Sequence, residues 1–501
     1  MSLSRRNLMQ SGGFGALLLT AAGACSRPDQ TAANDLAEFD AVETAARIKS
    51  GELSAAEAVE AAIDRADRID KQLNAIVTKT YKSARESAAA GGASAGVMEG
   101  VMAGVPTFIK DLYDVTGVPT GFGSRAFPGY KGEEQLPFVT GFLKLGVVSL
   151  GKSTTPEFGL TATTESIATG KTRNPWNLDH STGGSSGGAA ALVASGVVPI
   201  AHATDGGGSI RIPASCCGTI GLKVSRGRTP RGEPADMPLS LSTHGVESRT
   251  MRDTAAVSAA MALPAAQSGL PPLDLVTAPL SQRLRIAVVT QGADGGFTPD
   301  AAVMEATQSV AALCADLGHH VEEAVFPFGE GFSADFSLCW AAFAHRIVKI
   351  WEERTRLPRN GLAFEPFTLG LVKIFEDNQA DYENAVSRLQ SVQAIMEGFH
   401  QDYDVILSPV VRTPPPPIGY FDASLDYETL IERLTDYVQY TPVYNVSGAP
   451  AISLPLSMSP DGLPIGTMFG APLGREDWLL GLGYELEQAR PWAGRKPVVW
   501  G

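Results

Sequence analysis

The sequence predicts an α/β protein folded as one large domain. Two observations carry this. Short apolar runs of strand character alternate with segments of helical spacing along the chain. After residue 100 there is no internal repeat and no Pro/Ser-rich linker to divide it. The composition agrees. With 501 residues, 44% apolar and 19% charged, 53 Gly and 33 Pro, the chain is globular, turn-rich and long enough for a large core. Collagen, coiled coil and wholesale disorder are excluded.

Residues 1–25 read as an export address. Arg5 and Arg6 follow Ser4, an uncharged stretch runs from Gly12 to Ala24, and Cys25 ends it. A positive start, a short apolar stretch and small residues before a cut site describe a signal peptide. The paired arginines point to the twin-arginine type, although Leu8 and Gln10 depart from the usual pattern. Ala22-Gly23-Ala24 fits a peptidase site and the run ending at Cys25 fits a lipoprotein box, so a lipid anchor at Cys25 stays open. A protein outside the cytoplasm, periplasmic or lipid-anchored, is expected. No later segment reaches the ~18 apolar residues of a membrane span.

Residues 26–37 are polar and small, an expected linker to a domain over 38–498. Ser54 with Glu57 spells a capping box. Val59, Ile63, Ala66, Ile69 and Leu73 then mark one apolar helical face. Strands are expected at Val147 to Leu150, Val197 to Ile200, Arg285 to Val289, Asp404 to Leu407 and Ala451 to Leu454. Helices are expected at Ala189 to Ala194, Thr298 to Leu317 and Glu476 to Ala489. The net charge of −14 and the lack of any run of five basic residues leave no nucleic-acid footprint. Five Cys without a CxxC pair, and seven His without HExxH, suggest neither a disulfide framework nor a metal centre. No cofactor is expected.

Three serine-based sites compete. Gly183-Gly184-Ser185-Ser186-Gly187 fits G-x-S-x-G, but the last His is His400, too early for the late His of an α/β-hydrolase. Ser149-Leu150-Gly151-Lys152 fits S-x-x-K, yet the companion S-D-N and K-T-G motifs are missing, and Ser149 and Lys152 read as loop or strand-end residues. The third site uses Lys110, Ser185 and Ser209. "GVPTFIKD" at Gly104 to Asp111, "GGSSGG" at Gly183 to Gly188 and "TDGGGSIRIPASCCGTIGLK" at Thr204 to Lys223 resemble the amidase signature family. "NVSGAPAISLPL" and "GLPIG" extend the resemblance over nearly the whole chain, and the two serines stand 24 residues apart, as the family has them.

The resemblance implies a mixed, mostly parallel, twisted β-sheet covered by helices on both faces. It implies an amidase that cleaves a carboxamide bond of a small molecule through a serine acyl-enzyme. Ser209 is the expected nucleophile, Lys110 the base, and Ser185, after a cis peptide bond, the relay between them. The backbone N–H groups of Gly206, Gly207, Gly208 and Ser209 form the expected oxyanion hole, with Asp205 and Arg211 as buried supports. A lysine can act as base only when neutral, and Lys110 follows the apolar run Val105 to Ile109, where burial would lower its pKa from ~10.4. Cys216 and Cys217 read as small buried residues, and Cys339 as core or a wall of the acyl pocket. Phe122 to Tyr130 and Phe326 to Phe375 are the expected pocket regions. Thr182 and Met468 depart from the common pattern and leave substrate preference open. "IPASCCG" and the third Gly resemble the branch that hydrolyses nylon-oligomer cyclic amides. An amidotransferase A-type subunit, or an esterase or carbamate hydrolase on the same site, are the alternatives.

Overall fold

The computed structural model describes residues 36–90, 100–230 and 238–501. The signal segment 1–25, Cys25 and most of the expected linker lie outside the described residues. Residues 36–38 are helical and Ala37 is buried, so the linker's last two residues belong to the folded domain. At the other end packing continues to Gly501, whose N–H donates to the Ser195 carbonyl. Among the described residues no helix is long and apolar enough to cross a membrane.

The helix Ala55–Leu73 starts where the sequence predicts. Ser54 Oγ accepts the Glu57 N–H, and the Glu57 carboxylate accepts the Ser54 N–H. Its predicted apolar face is buried throughout. It covers a three-stranded sheet of β1 (Ile76–Lys79), β2 (Pro106–Lys110) and β3 (Val148–Ser153), in the order β1-β3-β2. Strand β2 carries Lys110 at its end, and all five of its residues are buried.

A second sheet has eight strands: β4 (Ile200–Asp205), β5 (Ile220–Lys223), β6 (Thr243–Ser248), β7 (Arg285–Val289), β8 (His320–Ala324), β9 (Val405–Pro409), β10 (Ala451–Met458) and β11 (Pro464–Gly470). Their order is β8-β7-β9-β11-β10-β5-β6-β4. The sheet is mixed, but the expectation that it is mostly parallel is corrected. Only β7 pairs in parallel, with β8 and with β9. The other pairings are antiparallel. Connection length is the reason. The turn from Ser459 to Leu463, with Gly462 at φ 76°, joins β10 to β11 too tightly for anything but a hairpin. The parallel pairs have helices in their connections, including Ala301–Asp316 between β7 and β8. The strand expected over Val197 to Ile200 also shifts: Gly196 turns at φ 76° and the strand runs on to Asp205.

Helices lie on both faces, as expected. Along β7, Ile286 and Val288 point to one face and Ala287 and Val289 to the other, the period-two alternation of a strand buried on both sides. The first face packs on Met251–Met261 and Glu476–Ala489. The second packs on Arg211–Cys217 and a layer of long helices, Phe332–Thr355, Pro366–Asp377, Tyr382–Phe399 and Tyr427–Tyr437. Strands β2 and β4 abut, with Thr107 Oγ1 donating to the Ile200 carbonyl at 2.9 Å. This brings the ends of both strands, Lys110 and Asp205, to one place.

Candidate active site

The Lys110 ammonium group has no exposed surface. Its Nζ lies 2.8 Å from Ser185 Oγ, 2.8 Å from Ser186 Oγ and 3.1 Å from Thr204 Oγ1. Among the described residues no carboxylate touches it. Burial lowers its pKa to about 7, against the opposing pull of the more distant Asp205 and Glu247 charges. Behind it, the Lys110 backbone N–H donates to His202 Nδ1 at 3.3 Å, and His202 Nε2 lies 3.0 Å from His244 Nδ1. Both imidazoles are held neutral by burial.

The loop Thr182 to Ser186 crosses the end of β2. The Gly184–Ser185 peptide bond is cis. Gly184 sits so close to Thr163 that a Cβ would come within 2.4 Å of the Thr163 carbonyl oxygen, which only glycine permits. Ser186 then enters the helix Gly187–Ala194. Ser185 and Ser209 open on the same cavity.

Asp205 ends β4, and the loop Gly206 to Ser209 leads into the helix Arg211–Cys217. Asp205 and Arg211 are fully buried and joined by two contacts of 2.9 Å. Burial works against the Asp205 charge, but Arg211, and Asn445 with it, hold its carboxyl well below the usual range. The same carboxylate accepts the N–H groups of Gly208 at 2.8 Å and Ile210 at 3.2 Å. This corrects one expectation. The Gly208 N–H is engaged by Asp205, so it shapes the loop rather than facing an incoming oxygen. Among the described residues the N–H groups of Gly206, Gly207 and Ser209 meet no protein acceptor.

Two residues not singled out from sequence complete this corner. Asn445 donates to the Asp205 carbonyl and carboxylate and accepts from Arg211 at 2.8 Å. Thr441 Oγ1 donates to the Gly207 carbonyl at 2.7 Å and sits where a side chain at Gly208 would collide. Asn445 lies within the recognised "NVSGAP" run, which was the signal for it. Replacing Asp205 with Ala should therefore unfold or severely destabilise the chain, by about 3–5 kcal/mol, because Arg211 would be left buried and unpaired. Urea unfolding read by circular dichroism checks this.

The S-x-x-K residues take no part. Lys152 is buried against Asp111 at 3.2 Å and Thr120 at 3.0 Å, and Ser149 Oγ turns to the Gly151 carbonyl. Cys216, Cys217, Cys314 and Cys339 are free and buried. Met468 lies 3.3 Å from Arg211 through its sulfur, and Thr182 accepts from Cys217 through its carbonyl. Neither lines a cavity at Ser209, so they bear on substrate only indirectly. Among the described residues no three His, Cys, Asp or Glu side chains gather as a metal-holding group.

Two cavities meet at Ser209. The larger, about 300 Å³, is walled by Phe122, Phe127, Tyr130, Trp340, Phe343 and others, with Cys339 among them. The smaller, about 100 Å³, is walled by Ile212, Phe336, Phe367, Leu371, Leu434 and others. Both expected pocket regions, Phe122 to Tyr130 and Phe326 to Phe375, contribute.

The chain has known relatives. The Amidase family model matches residues 57–480. "Putative amidase AmiC" of Mycobacterium tuberculosis is 43% identical over 460 residues, 91% of this chain and 96% of that protein. The 6-aminohexanoate-cyclic-dimer hydrolase of Paenarthrobacter ureafaciens is 34% identical over 92% of this chain and 96% of its own. The solved structure of a 6-aminohexanoate cyclic dimer hydrolase complexed with substrate superposes with a TM-score of 0.82 at 32% identity, covering 93% of this chain and 100% of that one. The chain belongs to the amidase family, and its reaction is hydrolysis of amide C–N bonds.

Proposed function

We propose that the chain is a serine amidase acting outside the cytoplasm, with Ser209 as nucleophile, Ser185 as proton relay and Lys110 as base. The observation that carries this is the 2.8 Å approach of a buried, unpaired amine to the Ser185 hydroxyl. A neutral amine has two hydrogens and one lone pair. Ser186 Oγ already donates to the Thr204 carbonyl at 3.2 Å, so it receives a hydrogen from Lys110. Thr204 Oγ1 takes the other. The lone pair is left for the Ser185 hydroxyl; Ser185 and Ser209 share a cavity, and the relay requires their hydroxyls to come within hydrogen-bond distance when substrate binds.

Ser209 attacks the amide carbonyl. The oxyanion is met by the N–H groups of Gly206, Gly207 and Ser209, held in place by Asp205 and Thr441. The proton returns through Ser185 to the leaving nitrogen, the C–N bond breaks, and an acyl-enzyme remains. Water, deprotonated by the same relay, attacks the ester and releases the acid. The apolar walls favour a substrate that is uncharged around the scissile bond.

Support for export comes from the arginine pair, the apolar stretch and the Cys25 run of residues 1–25. A fluorophosphonate probe should label Ser209 and block amide hydrolysis, read by mass spectrometry of the tryptic peptide. Labelling elsewhere, or none, would overturn the assignment. Cell fractionation should find the mature chain outside the cytoplasm, and palmitate labelling decides whether Cys25 carries lipid.

A further inference from the structure

The larger cavity is built on one helix face. Trp340, Phe343, Ile347, Ile350 and Arg354 all line it, at steps of three and four residues along Phe332–Thr355. Trp340 stands at the reacting end, since a Cβ on Gly206 would lie 3.2 Å from its ring. Arg354 is in the last turn, about 21 Å further along the axis. Among the described residues lining this cavity Arg354 is the only one with a charged side chain. It is exposed and has no ion pair among the described residues. Beside it Ile350 is 37% exposed, an apolar side chain left uncovered at the mouth. An apolar groove that ends in an unpaired guanidinium fits an apolar chain that ends in an anion.

The two cavities are not equivalent towards the chemistry. Ser185 lines the larger one and not the smaller, whereas Gly207 lines the smaller one and not the larger. The group that returns the proton must touch the leaving nitrogen, so the nitrogen and what it carries belong in the larger cavity. The smaller cavity receives the acyl group.

We propose that the substrate is a secondary amide with a short apolar acyl group and a long apolar amine half that ends in a carboxylate bound by Arg354. This rests on the Ser185 relay proposed above. Hydrolysis consumes water and releases a short carboxylic acid and an ω-amino carboxylate. The scissile nitrogen and the terminal anion would lie roughly 15–20 Å apart.

The test is a set of N-butanoyl amides of ω-amino acids with about five or about eleven methylenes, the longer reaching roughly 15 Å. Each is compared with its ω-hydroxyl analogue. For the long chain kcat/KM should favour the carboxylate by roughly five-fold, a modest factor because Arg354 is exposed. The preference should be carried mainly by KM and should shrink as salt is raised. It should be absent for the short chain. Arg354→Gln should erase it, read as the carboxylate-to-hydroxyl ratio of kcat/KM within the variant, and Arg354→Lys should keep part of it. A carboxylate preference that survives Arg354→Gln, or no preference at either length, overturns the assignment to Arg354. Faster cleavage when the long carboxylate chain is placed on the acyl side overturns the partition of the cavities. Turnover of the hydroxyl analogue that Ser209→Ala and Ser185→Ala both abolish shows the nucleophile and relay reading intact in either case. If no member of the set is cleaved while the fluorophosphonate still labels Ser209, the substrate class is overturned and the nucleophile stands.

Discussion

Ser209→Ala is expected to lower kcat for amide hydrolysis by about 10⁴–10⁶-fold while leaving the fold unchanged. The size follows from what is removed. On the proposed mechanism no acyl-enzyme forms without the hydroxyl, and the remaining rate would come from binding and from the N–H groups of Gly206, Gly207 and residue 209 polarising the carbonyl for attack by water. The fold should be unaffected because the Ser209 side chain makes no protein hydrogen bond among the described residues and borders both cavities. Thermal midpoints of the two proteins should therefore agree, in contrast to Asp205→Ala. The measurement is steady-state release of amine from any amide the native protein cleaves. A variant that retains more than a hundredth of the native rate would place the nucleophile elsewhere.

Much of this architecture was legible in the sequence because its signals are local. The capping box of Ser54 and Glu57 needs four residues, and the apolar run of β7, buried from Ile286 to Val289, needs five. Lys110 next to an apolar strand and Ser185 inside a glycine-rich loop were both visible, and their chemistry demanded burial of the lysine. What was not legible depends on partners far along the chain. Asn445 reaches Asp205 across 240 residues, and nothing around Asn445 states which buried group it will satisfy. The role given to Gly208 changed for the same reason. Whether its N–H faces an empty site or a carboxylate depends on how Asp205 is turned by Arg211 and Asn445. The proportion of antiparallel pairing was missed because strand spacing along the chain does not say which strands become neighbours. The helix Phe332–Thr355 shows the opposite limit. Its inner face is a plain apolar stripe, indistinguishable in sequence from core, and only the fold reveals that part of the stripe borders a cavity.

The rate of the native protein should rise with pH through an apparent pKa near 7 and then level off. The sign follows from the lone pair. A charged ammonium on Lys110 has three hydrogens to give and none to accept, so it cannot take the Ser185 proton. Burial removes the water that would stabilise the charge and brings the pKa down to about 7, so the neutral, competent form is roughly a tenth of the population at pH 6 and roughly nine tenths at pH 8. Asp205 and Glu247 oppose this, since each favours the cation. Lys110→Met keeps the length and apolar stem but has no base, and should lose about 10³–10⁵-fold in kcat/KM together with the pH limb near 7. Lys110→Arg should be as inactive, because a guanidinium stays protonated across the accessible range. The pair of variants separates charge from basicity: if Arg supported turnover, a positive charge near Ser185 would be the requirement and proton abstraction would not. A rate that peaks in acid and falls as Lys110 loses its proton would lead to the same conclusion from the native protein alone.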